Sequence, residues 1–528
     1  MPGGKDKPSP NKYCLLSVSD KSGIVSLAKS LDYLGFKIIS TGGTAKVLTD
    51  AGLNVIPIQD ITGNPESFGG RMKTISFEIE SGILFDRSNS SHVKQAKDLN
   101  IKPIDIVVCN LYPFEEKQTI ENIDVGGPTM IRAAAKNYQH VIVVVDPKDY
   151  SRVISFCHSD PELAEGEESR SFAKAQDDIR RELAAKAFAH LSFYDSQIAR
   201  FLERDLFPEK LAIPGRKNLN LRYGENPHQK GVVYIEPNTN SPLNNLQKLT
   251  GRELSYVNFT DIAAGLESVR IFEEPAAVVI KHNSPSGIAL GRSPSEALIR
   301  AVAADPESAF GGVIVLNKPL DIKTAKTFAA FKEENNVLID IVAAPQITNE
   351  AKDFIKTVRK TTGIYTFGDI PKKRSNPTHL RFFDGGFVAQ VWDDKINFDK
   401  WKVVTKRKPT AKQRKQMELA WKFIGRIRSN SIIVVDKNLP MTRGIGSGQT
   451  SRIRATQIAL EQAGKYTKGA ILASDSFFPF DDSVKLAAKY GIGAIVQQGG
   501  SVNDKASITA ANKAKIPMIF TQERKFWH

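Results

Sequence analysis

Short apolar runs alternate with amphipathic segments along this chain from Tyr13 onward. The runs YCLLSVSD and FKIIS predict strands, whereas SGIVSLAKSLDYLG and TGGTAKVLTDAG carry apolar residues at helical spacing. DIVVCNLYPF and VIVVV add two further β-branched runs. Strands that alternate with helices are typical of an open α/β sheet, so we predict that architecture for the first third of the chain.

The same pattern predicts how the chain divides into domains. An Ala-rich amphipathic helix ends the first α/β unit, and the Pro- and Gly-containing stretch LFPEKLAIPGRK follows it. The alternation then resumes and continues to the C-terminus, and no short internal repeat is evident. We therefore predict a disordered tail over residues 1–12, a first domain over 13–203, a linker over 204–220 and a second domain over 221–528.

One segment within the first domain differs from its surroundings. Residues 158–178, HSDPELAEGEESRSFAKAQDD, are mostly acidic or small, although the protein as a whole is basic. A segment with so little apolar surface cannot bury enough of it to offset the entropy that is lost on ordering. We therefore predict an exposed insertion. The apolar sequence VISFC just before it is predicted to be a strand.

Composition limits the class of protein. A length of 528 residues predicts two or three domains, and 41% hydrophobic with 25% charged residues is typical of a globular protein. No apolar run is long enough to cross a membrane, and the N-terminal residues lack the apolar core of a signal peptide. Three widely spaced cysteines argue against disulfides or a zinc cluster and favour a cytoplasmic protein. A formal net charge of +15 suggests anionic partners, which are nucleic acid, a membrane surface, or phosphorylated and carboxylated small molecules.

Two basic residues stand where a buried strand is predicted to end. In AAVVIKHNSPSGIAL the apolar run leads to Lys281 and His282, and the Ser-Pro-Ser-Gly sequence after them predicts a turn. Burying an unpaired cation is costly, but the carboxyl end of a strand opens into the crevice where α/β sheets bind ligands. The pair is therefore either a solvated strand end or part of a ligand site, and alone it favours the solvated end.

Two Gly- and Ser-rich turns follow adjacent predicted strands. STGGTAK opens a helix whose glycines and free amides suit a phosphate, and SVSDKSG presents hydroxyls and Lys21 in the same way. Each turn alone is common in α/β proteins, but the two together favour an anion site. Later motifs contribute groups that are either surface charges or a proton-transfer set around that anion: Lys73, Tyr112, Asp124 and Lys136.

These motifs resemble those of a known family. SVSDKSG, STGGTAK, GGRMKT, CNLYPF, IDVGGP and AAAKN occur in the order found in the bifunctional purine biosynthesis proteins. That family couples 5-aminoimidazole-4-carboxamide ribonucleotide (AICAR) transformylase to inosine monophosphate (IMP) cyclohydrolase. The second part of this chain resembles the transformylase part of the family in the motifs LRYGENPHQ, LSYVNFTDI, IKHNSPSG, DPESAFGG, IRSNSI, GSGQTSR, ASDSFFPF, VQQGGS and RKFWH. The resemblance covers nearly the whole chain apart from the tail and the acidic insertion.

The resemblance implies that the second domain transfers a formyl group from 10-formyltetrahydrofolate to the AICAR amine. That amine is a poor nucleophile because it is conjugated with the imidazole carboxamide, so a base must take its proton. The implied base or relay is His282, Lys281 stabilises the oxyanion or protonates the leaving nitrogen, and Asn430 orients the formyl oxygen. Further substrate contacts are implied at Arg222, Tyr223, Asn258, Phe310, Gly311, Asp340, Arg524 and His528.

The first domain is implied to close the ring of formyl-AICAR to give IMP with loss of water. Both reacting groups belong to one molecule, so the site mainly holds a reactive conformer and stabilises developing charge. The family's catalytic positions correspond to Lys73, Tyr112, Asp124 and Lys136. Its phosphate loops correspond to Ser17, Lys21, Ser40, Thr41, Gly42, Gly43 and Thr44.

One motif departs from the family pattern. Where the family commonly has Lys-Thr-Leu-His-Pro and then a second histidine, this chain has KTISFEIES. Ser76 and Phe77 stand at the His-Pro positions, and Glu80 stands at the position of the second histidine. The alternative function is therefore a transformylase with weakened or lost cyclohydrolase activity.

The implied fold is a methylglyoxal-synthase-like α/β domain followed by a cytidine-deaminase-like α/β/α transformylase region. No catalytic metal is expected, because the zinc motif of the deaminases is absent. The resemblance also implies a homodimer that acts on AICAR, formyl-AICAR and 10-formyltetrahydrofolate, without nucleic acid or membrane.

Two other classes of protein compete with this interpretation. The net charge of +15 prompts a nucleic-acid-binding protein, although the lysines are dispersed and aromatic RNA-binding motifs are absent. The sequence KTISFEIES prompts a nucleotide-binding regulator without catalysis. Formation of IMP from AICAR and 10-formyltetrahydrofolate would distinguish the enzyme from both.

Overall fold

The computed structural model describes residues 12–65, 67–68, 72–158 and 167–528. The chain forms two compact units, Met1–Gly215 and Arg216–His528. Each unit has parallel strands at the centre of a sheet that is covered by helices, which confirms the predicted α/β class. In the part of the chain that is described, no helix is both long and apolar enough to cross a membrane.

A parallel sheet in the order β3-β2-β1-β4-β5 forms the centre of the first unit. Its strands are β1 (Lys12–Val18), β2 (Phe36–Ser40), β3 (Val55–Pro57), β4 (Ile104–Asn110) and β5 (Ile142–Val144). The helices are α1 (Ile24–Tyr33), α2 (Gly42–Asp50), α3 (Gln59–Thr62), α4 (Phe77–Leu84), α5 (Ser90–Asp98), α6 (Gly126–Lys136), α7 (Tyr150–His158) and α8 (Glu167–Leu202).

Both faces of this sheet are buried. Alternate residues of β1 face opposite sides: Leu15 packs with residues of α6 and α8, whereas Leu16 packs with residues of α1, α2 and α7. A strand that is covered on both faces is apolar at nearly every position, which explains the continuous run YCLLSV.

The prediction of a strand at VISFC is wrong, because this sequence lies within α7. Tyr150 and Val153 are buried on the sheet, and Ile154 and Cys157 pack beside them, which is helical spacing. A short apolar run fits both the two-residue period of a strand and the 3.6-residue period of a helix. Here the flanking residues complete the helical pattern. Of the predicted insertion, residues 159–166 lie outside the described residues, and residues 167–178 form the first turns of α8.

The second unit contains two mixed sheets and two short hairpins. Its strands are β6 (Arg216–Asn220), β7 (Val232–Ile235), β8 (Gln247–Thr250), β9 (Ala276–Lys281), β10 (Ser284–Leu290), β11 (Val313–Leu316), β12 (Ile341–Ala344), β13 (Gly363–Thr366), β14 (Thr378–Phe383), β15 (Gly386–Val391), β16 (Lys402–Val403), β17 (Ile432–Val435), β18 (Thr442–Gly446), β19 (Ile471–Ser474), β20 (Ala494–Gln497) and β21 (Met518–Phe520). Its helices are α9 (Tyr256–Val269), α10 (Pro294–Ala304), α11 (Pro306–Ala309), α12 (Ile322–Asn335), α13 (Asn349–Val358), α14 (Ala411–Ile424), α15 (Arg452–Ala463), α16 (Asp482–Lys489) and α17 (Asp504–Lys513). Residues 216–220, predicted as part of the linker, thus form a strand that pairs with β7.

The two large sheets of this unit share one topology. The first has the order β10-β9-β11-β12-β13-β8 and the second the order β18-β17-β19-β20-β21-β16. In each, an antiparallel hairpin is followed by three mutually parallel strands and an antiparallel edge strand. The unit is therefore a structural duplication, although its sequence contains no evident short repeat.

The two halves of the duplication meet at their hairpins. Ala289 of β10 forms an antiparallel bridge with Met441, and the N–H of Ile288 donates to Thr442 Oγ1 at 3.1 Å. One face of each sheet packs with α9 and α14 in a shared core. The opposite faces are covered by α10, α12 and α13 in one half and by α15, α16 and α17 in the other. Layers of helix, sheet and helix result.

Candidate active sites

A cavity of about 640 Å³ opens in the first unit at the carboxyl ends of β1, β2 and β4. The N-termini of α2 and α6 also line it. Among its lining residues are most of those predicted for ring closure and phosphate binding: Ser17, Lys21, Thr41, Gly42, Gly43, Thr44, Lys73, Tyr112 and Asp124. Open α/β sheets bind ligands at this edge, and free helix N-termini favour an anion there.

Hydrogen bonds join the two predicted phosphate turns. Ser17 Oγ lies 2.9 Å from Thr41 Oγ1, and Thr44 Oγ1 accepts from the N–H of Val18 at 3.1 Å and donates to its carbonyl at 3.0 Å. The β1–α1 and β2–α2 turns are thereby held side by side. These hydrogen bonds fix the shape of this part of the cavity wall.

Two lysines approach the glycines of the second turn. A Cβ at Gly42 would lie 3.7 Å from Lys73 Nζ, and one at Gly43 would lie 3.8 Å from Lys21 Nζ. Gly42 also has a φ of +42°, which side chains other than glycine rarely adopt. Lys21 donates to the carbonyls of Val18 and Ser19 at 3.2 and 3.3 Å, so its ammonium is held at the cavity. Two cations and exposed backbone amides suit a phosphate group.

Asp124 has the electrostatics of a proton donor or acceptor. Burial raises the pKa of its carboxyl above the ordinary value, although the N–H of Gly127 donates to Oδ1 at 2.8 Å. A Cβ at Gly127 would lie only 2.9 Å from Asp124 Oδ2, so glycine is needed for this close approach of the helix. The Tyr194 hydroxyl accepts from the N–H of Asp124 at 2.7 Å and fixes the backbone there. Tyr112, which is half exposed, lies in the same cavity wall.

The structure does not bring two of the predicted residues to this cavity. Ser40 is fully buried, and its hydroxyl donates to the carbonyl of Leu16 at 2.6 Å, so it joins neighbouring strands. Lys136 is the exposed last residue of α6, whose first turn lines the cavity. A helix rises 1.5 Å per residue, so Lys136 lies about 15 Å along the axis from Gly126.

Sequence reasoning missed several residues of the cavity wall. Asn110 Oδ1 accepts from the N–H groups of Ser19 and Asp20 at 2.6 and 2.8 Å, and its amide donates to the carbonyl of Asp20 at 3.1 Å. It therefore sets the shape of the β1–α1 turn from the end of β4. Asn110 stands at the end of the apolar run IDIVVC, and a polar residue at the end of a predicted strand is a sequence signal for a cavity residue. Thr74 and Glu121 also line the cavity, and no pattern in the sequence pointed to them.

The residues that depart from the family pattern belong to α4. Ser76 begins this helix, and its Oγ accepts from the N–H of Ile79 at 3.2 Å. Phe77 is exposed. Glu80 has a buried Oε1 with no hydrogen-bond partner among the described residues, and burial raises the pKa of its carboxyl to about 7. A neutral imidazole at that position would bury no charge.

In the second unit, Lys281 and His282 occupy the hairpin between β9 and β10. The prediction of a turn at Ser-Pro-Ser-Gly is wrong, because Ser284 already pairs with Lys281 and begins β10. The tight turn consists of His282 and Asn283, with φ values of 53° and 60°. Two residues with positive φ form the hairpin turn that best matches strand twist, and His and Asn tolerate this region better than most residues.

Contacts on both sides hold this hairpin. Lys281 Nζ donates to the carbonyl of Phe310 at 3.0 Å, directly before Gly311, which has a φ of +71°. The N–H of Asn283 donates to Asp261 Oδ1 on α9 at 2.6 Å, and burial raises the pKa of that carboxyl. Lys281 and Phe310 line one small cavity of about 480 Å³. The structure therefore brings Lys281 together with Phe310, and His282 and Gly311 are their neighbours in the sequence.

Asn430 lies in a different part of the unit, directly before Ser431 and β17. Its amide nitrogen donates to the carbonyl of Gln449 at 2.9 Å, and its Oδ1 accepts from Arg452 at 2.6 Å. Arg452 also binds the fully buried Asp475. Asn430 is absent from the lining of the cavity that contains Lys281. One amide N–H of this locked side chain remains for a ligand.

The other predicted contacts of the second unit have mixed roles. Arg222 lies over the Tyr223 ring at 4.7 Å and donates to its hydroxyl at 3.0 Å. Asn258 forms a capping box with Ser255 at the start of α9. The remaining residues make these contacts: both oxygens of Asp340 pair with arginines, Arg252 and Arg359, whereas Arg524 and His528 contact the Phe526 ring. His528 also lines a cavity of about 580 Å³ together with Asn283.

Comparison with known proteins relates the whole chain to one family. A family model described as the AICARFT/IMPCHase bienzyme matches residues 134–462, and a model of the MGS-like domain matches residues 23–145. The bifunctional purine biosynthesis protein PurH of Persephonella marina is 42% identical over 98% of this chain and 100% of its own length. Proteins with the same description from Acetivibrio thermocellus and Thermoanaerobacter sp. are each 43% identical, again over 98% of this chain and 100% of their own.

The second family model confirms the methylglyoxal-synthase-like fold that was predicted for the first domain. The relatives match from end to end, so the resemblance is not confined to one unit. The chain therefore belongs to the AICARFT/IMPCHase bienzyme family and is a bifunctional enzyme of purine biosynthesis, with AICAR transformylase and IMP cyclohydrolase activities.

Proposed function

We propose that the two activities are divided between the units, with ring closure in the first unit and formyl transfer in the second. The observation that supports this division is the cavity at the end of β1, β2 and β4, which gathers most residues predicted for ring closure. Lys281 and His282, predicted for formyl transfer, lie in the second unit.

For formyl transfer, His282 accepts the proton of the AICAR amine as its nitrogen attacks the formyl carbon. The resulting oxyanion is stabilised by Lys281, whose ammonium donates one hydrogen bond to Phe310 and has two N–H groups left. When the tetrahedral intermediate collapses, the bond from the formyl carbon to the folate nitrogen breaks, and that nitrogen takes a proton from Lys281 or the imidazolium. Asn430 lies outside the cavity lined by Lys281 within one chain, so we propose that its free amide N–H donates to the formyl oxygen across the subunit interface of the proposed homodimer.

For ring closure, the carboxamide nitrogen of formyl-AICAR attacks the formyl carbon and passes its proton to the carboxylate of Asp124, and the hydroxyl of the adduct then leaves as water. Lys21, Lys73 and the N-terminus of α2 hold the phosphate and fix the reactive conformer. Asp124 protonates the departing hydroxyl, a role that its raised pKa favours. Tyr112 lines the same cavity as Asp124.

We further propose that 10-formyltetrahydrofolate is the formyl donor and that the enzyme is a cytoplasmic homodimer. The hairpin β14–β15 supports the dimer, because Phe382, Phe383 and Val388 expose more than half of their side chains. Neighbouring apolar side chains of this kind mark protein interfaces.

The division between units is tested by a pair of substitutions and two assays. Lys281→Ala should abolish formyl transfer from 10-formyltetrahydrofolate to AICAR but leave closure of supplied formyl-AICAR intact. Lys73→Ala should abolish closure of supplied formyl-AICAR but leave formyl transfer intact. Both are lysine-to-alanine changes at ligand cavities, so each serves as the control of the other. Loss of both activities in either variant, or of neither, would contradict the division.

A further inference from the structure

Three aromatic rings meet beside the C-terminus of the second unit. The centroid of His379 lies 4.3 Å from that of Trp392 and 5.3 Å from that of Trp527, and the two tryptophans are 6.2 Å apart. The guanidinium of Arg374 covers the Trp392 ring at 3.7 Å, and that of Arg426 lies 5.0 Å from the Trp527 ring. We call these five residues the ring cluster.

Two carboxylates hold both arginines of the ring cluster. Arg374 donates to the two oxygens of Glu267 at 2.8 and 2.5 Å and to those of Asp394 at 2.5 and 2.9 Å. Arg426 donates to Asp394 at 2.9 Å. Burial opposes ionisation of Glu267 and Asp394, but the hydrogen bonds from Arg374 and the charges of the surrounding arginines together lower the pKa of both. Paired, buried guanidiniums of this kind are fixed in orientation.

The ring cluster is connected through the backbone to Asn430. The carbonyl of Trp527 accepts from the N–H of Ser429 at 2.9 Å, and Ser429 directly precedes Asn430. Two residues before Trp527, the buried ammonium of Lys525 donates to both oxygens of Asp393 at 2.7 and 2.8 Å. Trp527 therefore contacts the ring cluster through its side chain and the segment that carries Asn430 through its backbone carbonyl.

Helix α9, which carries Glu267, connects the ring cluster to the Lys-His hairpin. Glu267 and Asp261 lie six residues apart on α9, which is about 9 Å along one rigid helix. Asp261 accepts from the N–H of Asn283 in the hairpin turn, and Glu267 binds Arg374. One helix thus positions the turn that contains His282 and the arginine that covers Trp392.

Simple core packing does not account for this arrangement. His379, Trp392 and Trp527 remain partly exposed and line the cavity of about 580 Å³ that also contains His528 and Asn283. Burial and the nearby arginines lower the pKa of His379, so the ring cluster contains an uncharged imidazole between two fixed cations. The four charged groups around these partly exposed rings add little buried apolar surface, but they fix the orientation of the rings.

We infer that the ring cluster is a positioning device for formyl transfer, with Trp527 as the positioning residue that sets Asn430 relative to the reacting formyl group. This inference rests on the proposed role of Asn430. Trp527 touches no reacting atom in this mechanism. Its loss displaces Asn430 without removing the groups that bind AICAR.

The test compares Trp527→Ala, Trp527→Phe and Asn430→Ala in the full-length protein, with Trp401→Phe as the control. Trp401 is a tryptophan of the same unit that packs on Phe398 and Trp421 instead of the ring cluster. A displacement of about 1 Å can cost up to about a hundredfold in rate, so Trp527→Ala should lower kcat for formyl transfer by roughly ten- to a hundredfold. KM for AICAR and closure of supplied formyl-AICAR should stay nearly unchanged.

Trp527→Phe should restore most of kcat, because a phenyl ring still stacks, and Trp401→Phe should behave as the native enzyme. Native kcat in Trp527→Ala, with Asn430→Ala impaired, overturns the inference and leaves the proposed function intact. Native kcat in Asn430→Ala overturns the proposed role of Asn430 instead. If Trp527→Ala does not fold, His379→Ala at the exposed side of the ring cluster replaces it. The same split of kcat from KM is expected there, and native kcat in that variant would overturn the inference.

Discussion

Glu80→Gln should stabilise the first unit, and the gain should depend on pH. Glu80 carries a buried carboxyl oxygen for which the described residues offer no hydrogen-bond donor. Burial raises the pKa of this carboxyl from its usual value of 4.5 to about 7. The folded protein therefore binds a proton more tightly than the unfolded chain does, so the free energy of unfolding falls as pH rises between these two values.

The magnitude follows from the two pKa values. A shift from 4.5 to about 7 corresponds to a ceiling of ~3 kcal/mol at 1.36 kcal/mol per pH unit. Partial exposure of the side chain reduces this ceiling, so we expect the free energy of unfolding of the native protein to fall by about 1–2 kcal/mol above pH 7. Glutamine has the same shape without the charge. Glu80→Gln should therefore match the native protein near pH 4.5 and exceed its stability by about 1–2 kcal/mol at pH 8.

Denaturant unfolding of the full chain from pH 4.5 to 8, followed by hydrogen exchange of α4 amides, measures this difference. Glu78→Gln is the matched control, because it makes the same charge change two residues away on the same helix. A stability gain that is equal at all pH values would refute the reasoning. So would a pH-dependent gain of the same size in Glu78→Gln.

Three further predictions concern the two activities and the acidic segment. Asp124→Asn should lower kcat for closure of supplied formyl-AICAR by at least about a hundredfold, because a general acid is lost, and stopped assays with purified IMP as standard measure it. His282→Gln should lower kcat for formyl transfer by a similar factor, on the order of a hundredfold, and an unchanged rate would exclude His282 as the base. Replacing residues 158–178 by a short Gly-Ser linker should change the free energy of unfolding by only ~1 kcal/mol and preserve both activities, because loop-closure entropy varies slowly with length. The deletion also removes the first turns of α8, but Lys174, Ala175, Asp177 and Asp178 are exposed there, so we expect the packed part of the helix to remain. Failure to fold would contradict this prediction.

Sequence patterns predicted the elements whose cause is local. The apolar run before Lys281 was predicted as a buried strand, which the structure confirms, and its end was correctly placed. The turn after it was wrong, because His282 and Asn283 form a two-residue hairpin without the glycine that usually marks one. The helix at VISFC was missed for a related reason, since five apolar-rich residues fit either period.

Long-range features lay beyond the sequence patterns. Arg374 and Glu267 are 107 residues apart, and Trp527 meets His379 across a still longer separation, so no local spacing reports the ring cluster. The sequence predicted the role of Asn110 only in part, because an asparagine at the end of a strand does not show which turn its side chain binds. The resemblance assigned Lys136 to the site, and its place at the exposed end of α6 could not be foreseen from AAAKN alone.

The duplication in the second unit makes it equivalent to a two-fold dimer whose subunits have been joined into one polypeptide. In a true homodimer every substitution appears twice, whereas the two halves of this unit can diverge independently. At the end of β9 the chain presents Lys281 and His282, but at the end of β17 Asp436 stabilises its own turn, accepting from the N–H groups of Asn438 and Leu439 at 2.7 and 3.0 Å. Joining the halves therefore lets one hairpin specialise in chemistry while its counterpart maintains the shared architecture.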